Sequence, residues 1–167
     1  MTKVLVLGAT GQTGRKVTEC LQARSAVDVI GASRRPHGSG GRAFDWNVPE
    51  TWKAVLANVV CVYLVKPNAY GAVDVEATVA SFLDDAKSVR RIVLLSGIAA
   101  ETRNENLDER RVERLIETSR FEWTILRPIG LYRTSPPPST SFRSYATRAR
   151  LGCLLRVGQL RLSIPAT

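Results

Sequence analysis

Cysteine and histidine are scarce in this chain of 167 residues, and their scarcity argues against several kinds of site. The three cysteines, Cys20, Cys61 and Cys153, stand far apart and form no CxxC pair, which excludes a disulfide framework or a zinc ribbon. The one histidine, His37, argues against a serine-hydrolase triad and a histidine-rich metal centre. We therefore predict no metal site.

The sequence also has no long apolar run. No stretch approaches the run of about 20 apolar residues that a membrane helix needs. The N-terminal segment MTKVLVLG lacks the longer apolar region and the cleavage site of a signal peptide. With 44% apolar and 23% charged residues, the chain has the composition of one globular domain. We expect a cytoplasmic protein that does not associate with membranes.

Acidic side chains are absent from the last part of the chain, although the net charge is +9. Residues 1–132 hold 18 basic and all 15 acidic side chains, whereas residues 133–167 hold six Arg and no Asp, Glu or Lys. A nucleic-acid surface would place its basic excess within the folded body, where this sequence is nearly balanced. We therefore do not expect a nucleic acid as the partner.

Strand-like and helix-like segments alternate over the first 132 residues. Buried parallel strands are short apolar runs, and the helices between them carry an apolar face. This pattern predicts an α/β fold, a Rossmann-type doubly wound parallel sheet of about six strands. The predicted strands are Lys3–Leu7, Val27–Ala32, Arg42–Asp45, Val59–Val65, Arg91–Leu95 and Trp123–Leu126, and the predicted helices are Gln12–Arg24, Pro49–Leu56, Val73–Lys87 and Asp108–Ser119.

The last predicted helix has an apolar face and a charged face. Val112, Leu115, Ile116 and Ser119 are expected to lie on one side. The charged residues that the helical spacing turns outward are Arg110, Arg111, Arg114 and Glu117.

Three glycines at a spacing of three follow the first strand and open the first helix. Gly8 permits a tight exit from the strand, Gly11 allows the backbone to approach a pyrophosphate, and Gly14 allows close packing of helix on sheet. The free amides and the positive end of the helix dipole favour a diphosphate. Because a strand, a helix and the later strands all fall where the motif requires, we predict a dinucleotide site.

The end of the second strand distinguishes between the two nicotinamide cofactors. Sites that prefer NAD carry an acidic residue here, which binds the ribose 2′-OH. This chain instead has Ser33 followed by Arg34 and Arg35, and guanidinium groups suit a 2′-phosphate. We therefore predict NADP rather than NAD, with Arg34 as its ligand and Arg35 as solvated loop charge.

Six segments of the chain resemble those of a known family, the NmrA-like atypical short-chain dehydrogenase/reductases. The similarity is greatest to the ergot-alkaloid branch, the festuclavine or agroclavine dehydrogenase-like proteins and their bacterial relatives. It covers residues 1 to about 132, and FDWNVPETW is its most branch-specific piece. The segments are GATGQTGR at 8–15, ASRRP at 32–36, FDWNVPETW at 44–52, VYLVKP at 62–67, RRIVLLSG at 90–97 and EWTILRP at 122–128.

The resemblance implies a set of cofactor-binding residues, but a structural role is the alternative for some of them. Asp45 could instead cap the following helix. Trp46 could be an ordinary core aromatic residue, and Ser96 could belong to a turn. The implied set is Gly8, Thr10, Gly11, Gln12, Thr13 and Gly14 in the phosphate loop, Arg34 at the 2′-phosphate, Asp45 and Trp46 at the adenine, Val65, Lys66 and Pro67 along the ribose and diphosphate, Ser96 and Gly97 at the nicotinamide ribose, and Pro128 with Ile129 at the nicotinamide.

The proton relay of ordinary short-chain reductases, Tyr-x-x-x-Lys, is missing. After Ser96 the only tyrosines are Tyr132 and Tyr145, and Pro136 and Ala149 stand four residues beyond them. Reduction of a ketone needs a proton donor at the carbonyl oxygen, whereas hydride alone completes the reduction of an iminium carbon. The absence therefore fits a reductase of iminium-type, alkaloid-like or other electron-poor molecules, and equally a non-catalytic NADP sensor. We name no catalytic residue.

The character of the sequence changes after Tyr132. The segment RTSPPPSTSF continues neither a strand nor a helix. We divide the chain into an NAD(P)-binding Rossmann domain at 1–132 and an atypical Arg/Pro/Ser-rich tail at 133–167. Proteins of the family that the chain resembles continue into a substrate lobe here. We hypothesise that this lobe is missing or incomplete and that the tail is disordered, truncated or frameshifted. An inactive fragment is therefore a further alternative to the reductase and the sensor. An uncovered sheet edge would favour a homo-oligomer.

Overall fold

The computed structural model describes residues 1–68, 74–97 and 107–128, together with Ala100, Asn104 and the backbone of 160–163. Strands and helices alternate through this part of the chain. The strands are β1 (Thr2–Leu7), β2 (Val27–Ser33), β3 (Gly41–Ala43), β4 (Cys61–Val65), β5 (Arg91–Leu95), β6 (Glu122–Pro128) and β7 (Leu160–Ser163). The helices are α1 (Gln12–Gln22), α2 (Glu50–Leu56), α3 (Val75–Asp85) and α4 (Asp108–Glu117).

The strands form one sheet in the order β3-β2-β1-β4-β5-β6-β7. β1 to β6 are parallel, so their carboxyl ends lie along one edge of the sheet. The order reverses between β1 and β4, which makes this the place where doubly wound sheets bind their ligands. The predicted six-stranded parallel Rossmann-type fold is confirmed.

Both faces of the sheet are covered, as the apolar strands require. Leu5 and Leu7 of β1 belong to the larger core cluster, together with residues of α2, α3 and α4. Val6, between them, belongs to the smaller cluster, which includes Val17 of α1. Successive residues of a strand point to opposite faces, so one apolar strand contributes to both halves of the core.

Several predicted elements are a few residues longer than the observed ones, and local hydrogen bonds explain two of the differences. α3 begins at Val75 because the Asp74 side chain accepts a hydrogen bond from the Ala77 amide at 3.2 Å and caps the helix. Lys87, predicted to be helical, donates its amide to the Asp85 carbonyl at 2.8 Å, which is not a helical bond. β3 is Gly41–Ala43, and the predicted Arg42–Asp45 is therefore shifted.

The outward orientation predicted for Arg110 is wrong. Its side chain is only 17% exposed and contacts Glu113 and Glu117 on the same helix, at 3.4 and 3.1 Å. Glu113 is fully buried, because Arg127 of β6 binds both of its carboxylate oxygens. Helical spacing alone does not reveal that Glu113, a neighbour of Arg110 on the helix, is paired with Arg127 on the sheet. The predicted burial of Val112 and Ile116 is confirmed.

β7 was not predicted from the sequence. It pairs antiparallel with β6, with Leu160 opposite Pro128 and Ser163 opposite Ile125. The outer side of β6, which the sequence left as an open edge, is therefore paired over these residues. The rest of the predicted tail, residues 133–159 and 164–167, lies outside the described part of the chain. Within that part, no helix combines the length and apolar character needed to cross a membrane.

Candidate functional site

The glycine motif forms a tight turn between β1 and α1. Gly8, the residue after β1, has φ +66°, a backbone conformation that residues other than glycine rarely adopt. Its carbonyl accepts a hydrogen bond from the Gly11 amide at 2.8 Å, which closes the turn. α1 then starts at Gln12, at the carboxyl-terminal edge of the sheet. The turn predicted from the spacing of Gly8, Gly11 and Gly14 is thus present.

Close packing explains the third glycine of the motif. A Cβ atom at Gly14 would lie 2.2 Å from the Gly8 carbonyl oxygen, so no side chain fits there. At Gly11 a Cβ atom would lie 3.1 Å from the same oxygen, a tight but less severe contact. Gly14 therefore holds α1 against the turn, while Gly11 leaves the approach to the helix end open.

The start of α1 suits an anion. Gly11 caps the helix without any side-chain hydrogen bond, and the first turn contains no acidic residue. Thr10, Gly11 and Gln12 are exposed, so the positive end of the helix dipole is presented here without a competing carboxylate. A helix end of this kind is a ready site for phosphate groups.

Thr13 is half-buried, and its side chain hydrogen-bonds Tyr63 of β4. Burial raises the pKa of the Tyr63 hydroxyl, and the hydrogen bond with Thr13 acts in the opposite direction. The Thr13 side chain thus ties the first turn of α1 to the sheet, and its backbone remains part of the helix end.

The end of β2 contains a buried hydroxyl group beside exposed guanidinium groups. Ser33 is 7% exposed, and its Oγ atom has no hydrogen-bond partner within the described residues. Arg34 and Arg35 follow it and are both exposed. A buried polar atom without a partner normally requires an explanation, and a bound ligand is one. Ser33 was not assigned a role from the sequence, because a serine at a strand end carries no distinctive signal.

Asp45 organises the turn between β3 and α2. Its carboxylate accepts a hydrogen bond from the Asn47 amide at 2.9 Å, and its carbonyl accepts one from Trp52 Nε1 at 2.9 Å. Its amide donates to Thr51 Oγ1 at 3.1 Å. Asp45 follows β3 at the carboxyl edge of the sheet and already has local structural partners.

Trp46 belongs to an aromatic cluster between the sheet and helices α2 and α3. Its ring centroid lies 5.0 Å from that of Phe44, 5.1 Å from that of Phe82 and 6.1 Å from that of Trp52, all edge-to-face. Trp46 is half-buried, whereas Trp52 is fully inside the core. The cluster accounts for the position of Trp46, whose ring is only partly buried against the core.

The end of β4 lies beside the phosphate loop. The side chain of Val65 would be 3.8 Å from a Cβ atom placed on Gly8, and Pro67 is buried. Lys66 extends to the first turn of α4, where its Nζ atom lies 3.1 Å from Glu109 Oε1. Burial opposes ionisation of Glu109, but hydrogen bonds from its own backbone amide and from Lys66, together with the Lys66 charge, lower its pKa overall.

The end of β5 adds a second hydroxyl group. The Ser96 amide donates to the Leu126 carbonyl at 2.9 Å, while the Ser96 Oγ atom is buried and has no partner within the described part of the chain. Gly97 follows it, and Pro128 ends β6 in a buried position. The carboxyl edge of the sheet therefore brings together the strand ends that carry the predicted cofactor residues.

Glu109 is the residue at this edge that the sequence left out. Two acidic residues in the first turn of a helix are usually explained by the helix dipole, and no spacing pattern relates Glu109 to Lys66. Ile129, Tyr132 and Tyr145 lie outside the described residues. Among the residues that the structure describes, no group of three or more His, Cys, Asp or Glu side chains could hold a metal ion.

Comparison with known proteins agrees with this geometry. The family described as NAD(P)H-binding matches residues 8–149. A search of curated proteins finds no match. The solved structures include a short-chain dehydrogenase/reductase superfamily protein from Agrobacterium tumefaciens with bound NAD, at 23% identity and a TM-score of 0.59 over 75% of this chain and 48% of that one.

Two further solved structures are also similar to this chain. The Citrobacter sp. triphenylmethane reductase complexed with NADP(H) is 24% identical, with a TM-score of 0.62 over 77% of this chain and 49% of that one. A Rossmann-fold NAD(P)-binding family protein from Shigella flexneri is 22% identical, with a TM-score of 0.58 over 77% of this chain and 67% of that one. The chain spans about half the length of the first two of these three proteins.

The strand order and the glycine turn define a Rossmann-type fold. The match over residues 8–149 shows that this chain belongs to the NAD(P)H-binding family.

Proposed function

We propose that the protein is an NADP-dependent reductase that transfers hydride from NADPH to an electron-poor small molecule. The observation that carries the proposal is the glycine turn, because Gly8 has a positive φ of +66°, Gly14 leaves no room for a Cβ atom, and the first turn of α1 carries no competing carboxylate. When bound, the nicotinamide supplies the hydride, and the protein supplies binding and orientation.

The residues of the turn fit a diphosphate, and the end of β2 fits a 2′-phosphate. Arg34 is exposed beside the buried Ser33 hydroxyl, and no acidic residue stands there to repel a phosphate. This combination supports NADP over NAD. The full proposed cofactor set is Gly8, Thr10, Gly11, Gln12, Thr13, Gly14, Arg34, Asp45, Trp46, Val65, Lys66, Pro67, Ser96, Gly97 and Pro128.

The substrate class that the sequence supports is an iminium-type or alkaloid-like molecule, as in the ergot-alkaloid branch, or another electron-poor acceptor. The missing Tyr-x-x-x-Lys relay favours acceptors that need no protein-supplied proton. A triphenylmethane reductase with bound NADP(H) is among the structurally similar proteins. We place the reaction in the cytoplasm, with a small molecule as the partner and with homo-oligomers as an open prediction.

The alternative function is a non-catalytic NADP sensor, and the same missing relay supports it. An inactive fragment, with a truncated or frameshifted end after residue 132, is the third possibility. Oxidation of NADPH that depends on an added imine or quinone supports the reductase. Binding of NADPH without turnover over a broad acceptor panel supports the sensor, and failure to bind any dinucleotide supports the fragment.

The cofactor preference is tested with Arg34→Ala and with Arg35→Ala as the matched control. A charge-assisted hydrogen bond to a phosphate contributes about 1.5–3 kcal/mol, so Arg34→Ala should weaken NADPH binding about tenfold or more. Binding of NADH, which lacks the 2′-phosphate, should change little, and Arg35→Ala should affect neither cofactor strongly. An unchanged preference in Arg34→Ala would remove Arg34 from the site.

A further inference from the structure

An ion pair links the end of β4 to the first turn of α4. Lys66 Nζ lies 3.1 Å from Glu109 Oε1, and the two side chains are 17% and 30% exposed. Both groups are therefore largely withdrawn from solvent but still reachable from the carboxyl edge of the sheet. An ion pair in this position has both a donor and an acceptor to offer a ligand.

The sheet order places this pair on the opposite side of the phosphate loop from Arg34. β2, which ends at the Arg34 position, lies on one side of β1, and β4 lies on the other. β4 and β5 pair in register with Val65 opposite Leu95, so Lys66 and Ser96 follow side by side. A dinucleotide that crosses the loop with its adenosine half at β2 has its second nucleoside half at β4 and β5.

The surroundings of the pair match the hydroxyl groups of a ribose. A lysine ammonium has three donor protons and a carboxylate has about four acceptor positions, so each group retains hydrogen-bonding capacity after pairing with the other. The buried Ser96 hydroxyl adds one more group without a partner in the described residues. Gly97 lies next to the pair, because a Cβ atom placed on it would be 3.9 Å from Glu109 Cγ.

We propose that Lys66 and Glu109 together bind the two neighbouring hydroxyls of the nicotinamide ribose, with Glu109 as a cofactor-binding residue that the sequence does not reveal. Each ribose hydroxyl can donate to the carboxylate and accept from the ammonium group. Acidic residues bind a ribose in the same way at the adenosine end of NAD sites. The inference rests on the proposed function, because it requires a dinucleotide on the loop.

A purely structural role for the pair, tying α4 to the sheet, is less consistent with its surroundings. Glu113, one turn further along α4, already anchors the helix through two hydrogen bonds to Arg127 of β6 and is fully buried. Lys66 and Glu109 are the more open pair, at the edge where a ligand approaches. The helix is thus held by Glu113, which leaves Glu109 available for binding.

The test compares two ligands on the full chain by isothermal titration calorimetry. NADP⁺ contains the nicotinamide ribose, whereas adenosine 2′,5′-bisphosphate contains only the adenosine half. Glu109→Gln and Lys66→Met should each weaken NADP⁺ binding about five- to tenfold while changing the binding of the bisphosphate less than about twofold. Asp108→Asn is the matched control, because Asp108 lies in the same turn and contacts Arg111 instead. It should leave both affinities unchanged.

A structural role predicts a different pattern, in which both ligands weaken together or neither changes. If Glu109→Gln and Lys66→Met both show one of these two patterns, the inference is overturned while the proposed function stands. If the wild-type chain binds neither ligand, the proposed function fails and the inference fails with it. Thermal unfolding of each variant shows whether the fold is retained, and Lys66→Met tests the pair independently if Glu109→Gln does not fold.

Discussion

Replacing the buried carboxylate of Glu113 should strongly destabilise the fold. Glu113 is fully buried, and Arg127 Nε and Nη2 donate to its two carboxylate oxygens at 2.8 and 2.7 Å. Arg110 Nη1 adds a longer contact at 3.4 Å. In Glu113→Gln the side chain keeps nearly the same volume, but its amide group cannot neutralise the guanidinium of Arg127, which is only 14% exposed.

The magnitude follows from this geometry. Removing one partner of a buried ion pair costs about 3–5 kcal/mol, because the other charge is left without compensation. Arg110 has a second carboxylate partner in Glu117 at 3.1 Å, so its charge remains compensated. Arg127 is therefore the residue that loses both of its described bonds to a buried carboxylate, and we expect a loss of about 3 kcal/mol in the free energy of unfolding.

Urea denaturation at neutral pH measures this loss. Glu122→Gln is the matched control, because Glu122 pairs with Arg91 on an exposed surface, where such pairs contribute about 0–1 kcal/mol. Combining Glu113→Leu with Arg127→Met should recover part of the loss, since no buried charge then remains unpaired. A change below about 1 kcal/mol in Glu113→Gln would refute the reasoning that this pair fixes α4 to β6.

Two further predictions concern the glycine turn and the Lys66–Glu109 pair. Gly14→Ala should destabilise the protein by about 2–3 kcal/mol in denaturant titrations, because its Cβ atom would lie 2.2 Å from the Gly8 carbonyl oxygen. Gly40→Ala is the control and should change the stability little, because the nearest atom to its Cβ lies at 3.4 Å. The pKa of Glu109 is lowered below its ordinary value of 4.5, so its stabilising contribution is complete above that pH and is lost as the pH falls through the folded-state pKa. Glu109→Gln should therefore lose stability less steeply than the wild type as the pH falls below 4.5, and parallel acid unfolding curves would contradict this.

The sequence was most informative where one local pattern determines the structure. β1 is a continuous apolar run that both faces of the sheet bury, and the spacing of Gly8, Gly11 and Gly14 predicted the turn that follows it. β7 was not found, because Leu160–Ser163 alternates apolar and polar residues over only four positions and pairs with a strand far away in the sequence. Pairing over such a distance leaves no local signal.

In the candidate site, too, features set by local sequence could be predicted and contacts between distant segments could not. Strand ends along one edge of a parallel sheet are predictable once the strands are known, so the positions of Lys66 and Ser96 could be anticipated. The contact between Lys66 and Glu109 could not, because it depends on where α4 packs after a connection of unpredictable path. The burial of Glu113 was not predicted for the same reason, because it depends on the pairing with Arg127 of β6.

The central claim is that the glycine turn binds the diphosphate of a nicotinamide dinucleotide, and titration of NADPH into wild-type protein and Gly11→Leu tests it most directly. Gly11 has an ordinary backbone conformation, and a Cβ atom there lies 3.1 Å from the Gly8 oxygen, so the variant should fold with a modest loss of stability. The side chain would cover the helix end, and we expect NADPH affinity to fall about tenfold or more. Binding of NADPH by folded Gly11→Leu at wild-type affinity would contradict the account.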